Sequence, residues 1–329
     1  MNRASWMSVV ARLVAGAALA AGVAQGAWAQ AWPERPVRMV VGYPPGGGTD
    51  LVARLVAQPL SDRWKQPVVV ENRAGANAII ATEAVVKARP DGHTLLMAYA
   101  TELAVNPVTM KKLPYDPVKD LTPIAQLGSA PLVLAVNPTL PARDVAGLVA
   151  MAKARPGAMS YSSSGSGSVH HFAGELFKLR TGVAIEHVPY KGSGPATADA
   201  VAGQVQVTFA SVASVLRFVQ AGRLRALAVT SKQRSGQMPA VPTGAEAGVA
   251  DFELTSWYGL LAPAGTPKEL VARIHADATA VLALPEVRNG FAVQGLDIAQ
   301  SSPAAFAEFI REEAAKYARV AKAAKIDAE

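Results

Sequence analysis

The sequence predicts an α/β fold divided into two lobes, with mainly parallel sheets and a ligand cleft between the lobes. Short apolar runs rich in Val and Ile alternate with longer stretches of helical period, which is typical of parallel sheets covered by helices. Two segments rich in Gly and Ser, 42–49 and 162–168, each follow a predicted strand and precede a predicted helix. The chain has 329 residues, 50% of them hydrophobic, which is enough for two lobes.

The predicted elements follow in a regular order after residue 30. The strands are Arg38–Val41, Val68–Glu71, Thr94–Ala98, Leu132–Val136, Met159–Ser162, Ile185–Pro189, Val205–Ala210, Leu224–Thr230 and Trp257–Ala262. The helices include Asp50–Leu60, Ile79–Ala88, Arg143–Ala154, Val169–Leu179, Pro195–Ala202 and Pro303–Lys325. The last helix carries its large apolar residues on one face, so we expect it to dock on the core. Crossover segments near 126–129 and 231 then define lobe 1 as residues 30–127 plus 232–329, and lobe 2 as residues 128–231.

The first 29 residues have the pattern of a secretory signal peptide. Arg3 and Arg12 precede or begin an apolar run, and Ala27-Trp28-Ala29 supplies a small-x-small cleavage site. The apolar run is shorter than the roughly 20 residues that a membrane-spanning helix needs. The chain has no cysteine, so disulfides and thiolate metal ligands are excluded. These features predict export to a bacterial periplasm.

The charge distribution argues against nucleic acid as a partner. The formal net charge is +7, but the basic residues are scattered and the longest basic run is Lys111-Lys112. A mild positive field favours anionic small molecules. No motif for a metal or a cofactor is found, because the adjacent His170 and His171 lack the spacing of a zinc site.

The first glycine turn, "GYPPGGGT" at 42–49, resembles a nucleotide-binding loop but lacks its chemistry. Gly48 stands where such a loop needs its phosphate-binding lysine, and Leu51 replaces the last glycine of the dinucleotide pattern. What remains is a site for a smaller anion, in which the N–H groups of Gly47, Gly48 and Thr49 at a helix N-terminus meet a carboxylate. The alternative is a tight strand-to-helix turn that binds nothing.

The second turn raises the question of a hydrolase, because serines are followed by two histidines. Neither G-x-S-x-G nor S-x-x-K occurs in the chain. Adjacent histidines on a helix point about 100 degrees apart, so at most one faces the turn. The sequence therefore predicts no enzyme, and a secreted serine hydrolase using one serine of 162–168 with His171 is kept as the alternative from another class.

Taken together, the motifs of the chain resemble a known family. "VVGYPPGGGTDLVARLVA", "VVVENRAGA", "ARPDGHTLL", "YSSSGSGSVHHFAGELFK", "HVPYKGSGPA", "GRLRALAVTS" and "SWYGLLAPAGTP" resemble, in this order, the Bug-type solute-binding proteins of tripartite tricarboxylate transporters. The resemblance implies a periplasmic-binding-protein type II fold that closes on its ligand. It also implies a receptor without a chemical step or a cofactor.

The resemblance assigns the two turns to opposite walls of a carboxylate site. Because Asp50 would repel a carboxylate, we expect it to order the first turn by accepting N–H groups, or to meet an ammonium group if the ligand is an amino acid. The implied ligand-binding residues are Tyr43, Gly47, Gly48, Thr49 and Asp50 in the first turn, Ser164, Ser166, Ser168 and His171 in the second, and Thr101 as a third polar wall.

Two departures from the family pattern bear on the pocket. The family usually continues its "VENRPGAGG" segment with proline and paired glycines, whereas this chain has Ala74 and then Ala76-Asn77-Ala78. Many members have an acid or an amide where this chain has Ala210-Ser211. These changes are expected to reshape the rim and to leave room for a bulkier or less polar acid.

The function implied is capture of a small organic acid and its delivery to the membrane subunits of a secondary transporter. The expected ligand is a di- or tricarboxylate, an amino acid or an aromatic acid, and the receptor is expected to be a monomer. A ligand sensor that reports to a membrane signalling kinase is the alternative among binding proteins.

Overall fold

The computed structural model describes residues 32–326, so the predicted signal peptide and its cleavage site lie outside the described residues. The strands are β1 (Val37–Val41), β2 (Val68–Asn72), β3 (Thr94–Tyr99), β4 (Leu121–Val136), β5 (Ser160–Ser163), β6 (Glu186–Pro189), β7 (Val207–Ser211), β8 (Arg225–Val229), β9 (Thr255–Pro263) and β10 (Asp297–Ile298). The helices are α1 (Gly48–Trp64), α2 (Ile79–Val86), α3 (Asn106–Thr109), α4 (Val145–Ala154), α5 (Val169–Thr181), α6 (Ser193–Ala202), α7 (Val212–Gln220), α8 (Lys268–Leu282), α9 (Pro285–Val293) and α10 (Pro303–Ala324).

The strands form a sheet in the order β2-β1-β3-β9-β4-β7-β5-β6, with β8 and β10 also paired to β4. Its outer pairs, β1 with β2 and β3, and β5 with β6 and β7, are parallel. Every antiparallel pair involves β4 or β9. The α/β class is confirmed, but the sheet is mixed rather than mainly parallel. Strands β4 and β9 are largely buried, which hides the alternation that marks an antiparallel strand.

Strand β4 runs through both halves of the sheet. Its residues 121–131 pair with β9, whereas residues 132–136 pair with β7 and β8. The predicted crossover at 126–129 therefore lies inside β4, where the register shifts between Gln126 and Gly128. The boundaries of lobe 1 and lobe 2 stay a prediction, and these names refer below to the predicted ranges.

The chain between β8 and β9 contains Ser231, the second predicted crossover. Thr230 is fully buried and follows β8. Its hydroxyl accepts the N–H of Leu132 at 2.8 Å and donates to the carbonyl of Leu254 at 2.5 Å. Its backbone bonds to the same two residues. Thr230, which directly follows β8, thus bonds both to Leu132 of β4 and to Leu254, the residue before β9.

The C-terminal helix α10 docks on the core, as its apolar face predicts. Phe306, Ile310, Tyr317 and Val320 are buried along it. Trp257 of β9 is fully buried against this helix, with its ring edge-on to those of Phe306 and Phe309. Helices α7, α8 and α9 were not predicted.

Three consecutive residues other than glycine adopt the left-handed backbone conformation directly before α2. Ala76, Asn77 and Ala78 have φ angles of 47°, 51° and 68°. The family pattern "VENRPGAGG" has its paired glycines at 77 and 78 of this stretch. Each left-handed residue with a Cβ costs about 1–2 kcal/mol, and Ala76 is exposed, so its methyl group gives little packing in return.

Replacing Ala76 with glycine is therefore expected to raise the free energy of unfolding by about 0.5–1 kcal/mol, after the larger entropy of the unfolded chain is subtracted. Denaturant unfolding measures the change. The matched control is Ala318→Gly, at an exposed position inside α10, which should cost about 1 kcal/mol. Equal losses of stability in Ala76→Gly and Ala318→Gly would show that the backbone at Ala76 is not strained.

Candidate functional site

The two predicted turns face each other across a cleft of about 640 Å³. The first turn joins β1 to α1, and the second joins β5 to α5. The cleft is lined by Tyr43, Pro44, Gly46, Gly47, Gly48, Thr49, Leu51, Asn77, Tyr99, Thr101, Ala130, residues 164–170, Gly192, Ser193, Gly194, Ser211, Ala213, Ser214, Ser256, Tyr258, Gln294 and Leu296. Among the predicted site residues, Asp50 and His171 do not line it.

The first turn brings to the cleft the N–H groups of Gly48 and Thr49, which are unpaired in the described part of the chain, whereas the N–H of Gly47, predicted as a third donor, already bonds to the carbonyl of Pro44 at 3.3 Å. Gly46 has a φ of +82°, and Gly47 precedes α1 without any side-chain cap. The first backbone bond of the helix runs from the N–H of Leu51 to the carbonyl of Gly47. The N–H groups of the preceding helical residues therefore have no partner within the helix, and they lie at its positive end.

Asp50 is buried beneath this turn at 1% exposure. Its carboxylate accepts the N–H of Gly46 at 2.9 Å, Nε of Arg54 at 3.0 Å and Nδ2 of Asn72 at 2.9 Å. Burial works against the charged form, but the hydrogen bonds from Arg54, Gly46 and Asn72 outweigh it and lower the pKa of Asp50. Because these contacts occupy the carboxylate, its position suits the ordering of the turn.

The second turn is held by its own hydroxyl groups. Gly165 and Gly167 have φ angles of +137° and +68°. Ser168 caps α5, since its hydroxyl accepts the N–H of His171 at 3.2 Å and donates to the carbonyl of Gly165 at 2.6 Å. Ser166 is exposed, and its hydroxyl bonds to no other residue of 32–326, so it is free to meet a ligand.

The two adjacent histidines point in different directions, and His170 rather than His171 lies in the cleft wall. His170 bonds through Nδ1 to the hydroxyl of Ser164 at 2.6 Å. His171 turns away, because its Nδ1 accepts the N–H of Gly167 at 3.2 Å and its ring stacks on His187 at 4.0 Å. Burial lowers the pKa of His170 to about 4 and also lowers that of His171, so both are neutral at pH 7.

Several cleft residues were not predicted. Tyr99 of β3 and Tyr258 of β9 form an aromatic wall with their ring centroids 5.1 Å apart, and the hydroxyl of Tyr99 bonds to that of Ser256 at 2.7 Å. Helices α6 and α7 begin at the cleft, and their N-cap residues make no side-chain cap. The signal that marks α6 is the "GSG" run at 192–194, which repeats the glycine pattern of the other two turns.

Within residues 32–326, no charged side chain lines the cleft. Four helices, α1, α5, α6 and α7, begin at it, so its polar groups are backbone N–H groups, hydroxyls and amides. Such groups suit an anion that is held by neutral donors.

The geometry of a serine hydrolase is not present among residues 32–326. The ring of His171, the histidine of that alternative, bonds through Nδ1 to the N–H of Gly167 and to no serine hydroxyl of the described residues. The serine–histidine pairs Ser164–His170 and Ser163–His187 lack, in this part of the chain, the carboxylate that a catalytic histidine needs on its second nitrogen. Between residues 32 and 326, no group of three metal-binding side chains occurs. In the same range, no helix is both long and apolar enough to span a membrane.

A two-part sheet with a neutral cleft rimmed by helix N-termini defines the class of solute-binding proteins. Residues 52–326 match the family described as "Tripartite tricarboxylate transporter family receptor". The chain belongs to this family, whose members are solute-binding proteins and not enzymes. The resemblance drawn from the motifs is thereby confirmed.

Individual relatives cover nearly the whole chain. The chain is 40% identical to protein BugT of Bordetella pertussis over 323 residues, which is 98% of each protein. Among solved structures, Rpa4515 of R. palustris with adipate is 36% identical, with a TM-score of 0.82 over 91% of this chain and 100% of that one. MatC of Rhodopseudomonas palustris with bound malate is 30% identical, with a TM-score of 0.77 over 88% and 99%.

Proposed function

We propose that this protein is a periplasmic receptor that captures a small organic carboxylate and delivers it to the membrane subunits of a tripartite tricarboxylate transporter. The observation that carries the proposal is the cleft with four helix N-termini and no charged side chain. A carboxylate at one helix N-terminus gains only about 0.3–1 kcal/mol from the dipole. Micromolar affinity needs about 8 kcal/mol, so the site must combine both turns and exclude water.

The proposed site keeps most of the predicted residues. Tyr43, Gly47, Gly48, Thr49 and Thr101 form one wall. Ser164, Ser166 and Ser168 form the other, together with His170 in the place expected for His171. Asp50 orders the first turn through its three hydrogen bonds and has no direct contact with the ligand.

The relatives support an acid as the ligand, since one carries adipate and another malate. The family description supports delivery to the membrane subunits of such a transporter. The pattern of residues 1–29 supports export. We expect the receptor to act as a monomer.

Thermal unfolding of the purified protein tests the proposal. The ligand panel contains mono-, di- and tricarboxylates, amino acids and aromatic acids, with adipate and malate among them. A ligand at 100 times its Kd adds about 2.7 kcal/mol of stability, so the true ligand should raise Tm clearly. A neutral compound that raises Tm when no carboxylate does would overturn the proposal.

Two substitutions test the turns separately. Thr49 and Ser166 line opposite walls, and their hydroxyls bond to no other residue of 32–326. A hydrogen bond to a charged group contributes about 1.5–3 kcal/mol, so Thr49→Val and Ser166→Ala should each weaken binding tenfold or more. Isothermal titration calorimetry with the acid that raises Tm most measures the loss.

The matched control for these variants is Thr122→Val on β4, which lies outside the cleft lining. Its Kd should equal that of the unchanged protein. If all three variants bind equally well, the two turns do not hold the ligand through these hydroxyls.

A further inference from the structure

A carboxyl group that no sequence motif marks lies directly behind the cleft wall. Glu102 is fully buried in the short π-helical segment Thr101–Val105, which follows β3. Its carboxylate accepts the hydroxyl of Tyr43 at 2.8 Å and the N–H of Tyr99 at 2.8 Å. Both donors are neutral, and Glu102 forms no salt bridge with another described residue. A buried carboxylate without a cation is uncommon, because burial favours its protonated form.

The elements packed around Glu102 supply no positive charge to it. Tyr43, Tyr99 and Tyr258 face it from the cleft side, and Tyr115 donates its hydroxyl to the Glu102 backbone carbonyl at 2.8 Å. Helix α10 packs on the same segment. The buried ionisable groups of this helix are Glu313 and Tyr317, and Lys316 is bonded to Glu313. The neighbouring segments 76–78 and 106–109 contain no ionisable side chain.

Only one layer of side chains separates Glu102 from the cleft. Tyr43 and Tyr99, which bond to its carboxylate, both line the cleft, as does its chain neighbour Thr101. An anion in the cleft is therefore separated by one side chain from a carboxylate that is itself fully buried. Like charges at such sites disfavour each other's ionised form, so a bound carboxylate favours protonation of Glu102.

We propose that Glu102 takes up one proton from solvent when an anion binds in the cleft, so that ligand capture is coupled to proton uptake. This inference rests on the proposed function, because it requires an anionic ligand. The proton forms an O–H bond on the Glu102 carboxyl, which then donates to the Tyr43 oxygen instead of accepting from it. The phenol proton of Tyr43 is released from this contact and is free to turn toward another acceptor.

The pH range of the coupling follows from Glu102 itself. Burial raises the pKa of Glu102 to about 7, and a bound anion raises it further. Above pH 7 the protonated form is the minor one, and the apparent affinity falls with its population. Between pH 6.5 and 8.5 the Kd should rise by about fivefold to twentyfold.

The histidines of the second turn do not titrate in this range. Burial lowers the pKa of His170 to about 4 and that of His187 to about 3, and it also lowers the pKa of His171. His170 and His187 are therefore neutral from pH 6.5 to 8.5 and add no slope to the binding curve, and the lowered pKa of His171 places its titration midpoint below this range.

Calorimetric titration with adipate, or with the panel acid that raises Tm most, tests the coupling. Titrations at pH 6.5 and 8.5, each in two buffers of different ionisation enthalpy, give both Kd and the number of protons taken up. We expect the higher Kd at pH 8.5, with uptake of about 0.2 to 0.8 proton per bound ligand there, the range that corresponds to the expected change in Kd. Glu102→Gln is neutral at every pH, so its Kd should be the same at both pH values and its proton uptake should be absent.

The control variant is Glu308→Gln, an exposed carboxyl on α10, which should keep the full pH dependence. Equal Kd values at both pH values in the unchanged protein, or a Glu102→Gln variant that keeps the slope, would overturn the coupling while leaving the receptor function intact. Absence of binding by every panel acid would instead overturn the receptor function. If Glu102→Gln does not fold, the ¹³C carboxyl resonance of Glu102 at pH 8 decides, since it must shift toward the protonated position on ligand addition.

Discussion

Replacing Trp257 with alanine is expected to lower the free energy of unfolding by about 3–5 kcal/mol, the usual cost of removing a fully buried large aromatic side chain. Trp257 is 0% exposed and packs edge-on against Phe306 and Phe309 of α10. Its Nε1–H donates to Oε2 of Glu313 at 3.1 Å. The substitution therefore opens a cavity and also removes a neutral donor from a carboxylate that is 2% exposed. Denaturant unfolding, with a check that the m-value is unchanged, measures the loss.

Two further variants help to separate the effect of the cavity from that of the lost hydrogen bond to Glu313. Trp257→Phe keeps much of the ring volume but removes the donor to Glu313, so it should lose less than Trp257→Ala. Val293 is 76% exposed, and Val293→Ala should change stability by no more than about 0.5 kcal/mol. A loss below about 1 kcal/mol in Trp257→Ala would show that the packing of α10 on β9 contributes little.

Replacing Thr230 with valine is expected to cost about 2–5 kcal/mol. Valine has nearly the same shape but cannot bond to the N–H of Leu132 or to the carbonyl of Leu254. Each buried polar group left without a partner costs about 1–3 kcal/mol. Because these groups belong to the two segments that join the halves of the sheet, the variant should also bind the ligand more weakly. Denaturant unfolding and calorimetric titration measure the two effects.

The matched variant is Thr230→Ser, which keeps the hydroxyl and removes only a methyl group. It should cost about 1 kcal/mol and leave Kd unchanged. Equal destabilisation of the serine and valine variants would mean that packing, and not the bridging hydroxyl, matters at this position.

Much of the sheet was predictable because its strands are short apolar runs between polar turns. The parallel outer strands β1, β3 and β5 were predicted with bounds within one residue of those observed. The long antiparallel β4 was not, since only its last five residues form an unbroken apolar run. Its first half contains Pro123 and Gly128, which mark a turn in most sequences but here lie in a strand whose register shifts.

The backbone turns of the site could be predicted from the sequence, whereas the orientation of individual side chains could not. The glycine turns could be located from composition alone. Choosing between His170 and His171 depends on where α5 begins, and that is fixed by the Ser168 cap. Glu102 carries no local signal, because its burial depends on α10 at the far end of the chain.

Among the described residues, the cleft lining has no charged side chain. This feature affects how the ligand specificity of such a receptor can evolve. In the proposed carboxylate site, backbone donors persist through any substitution that preserves the turn, so point mutations are expected to leave the contacts to the acid in place. Rim positions such as Asn77, Ala213 and Gln294 are then free to vary one at a time. Substitutions in the cleft walls are then expected to change which acid binds, while the proposed backbone contacts to its carboxylate stay the same.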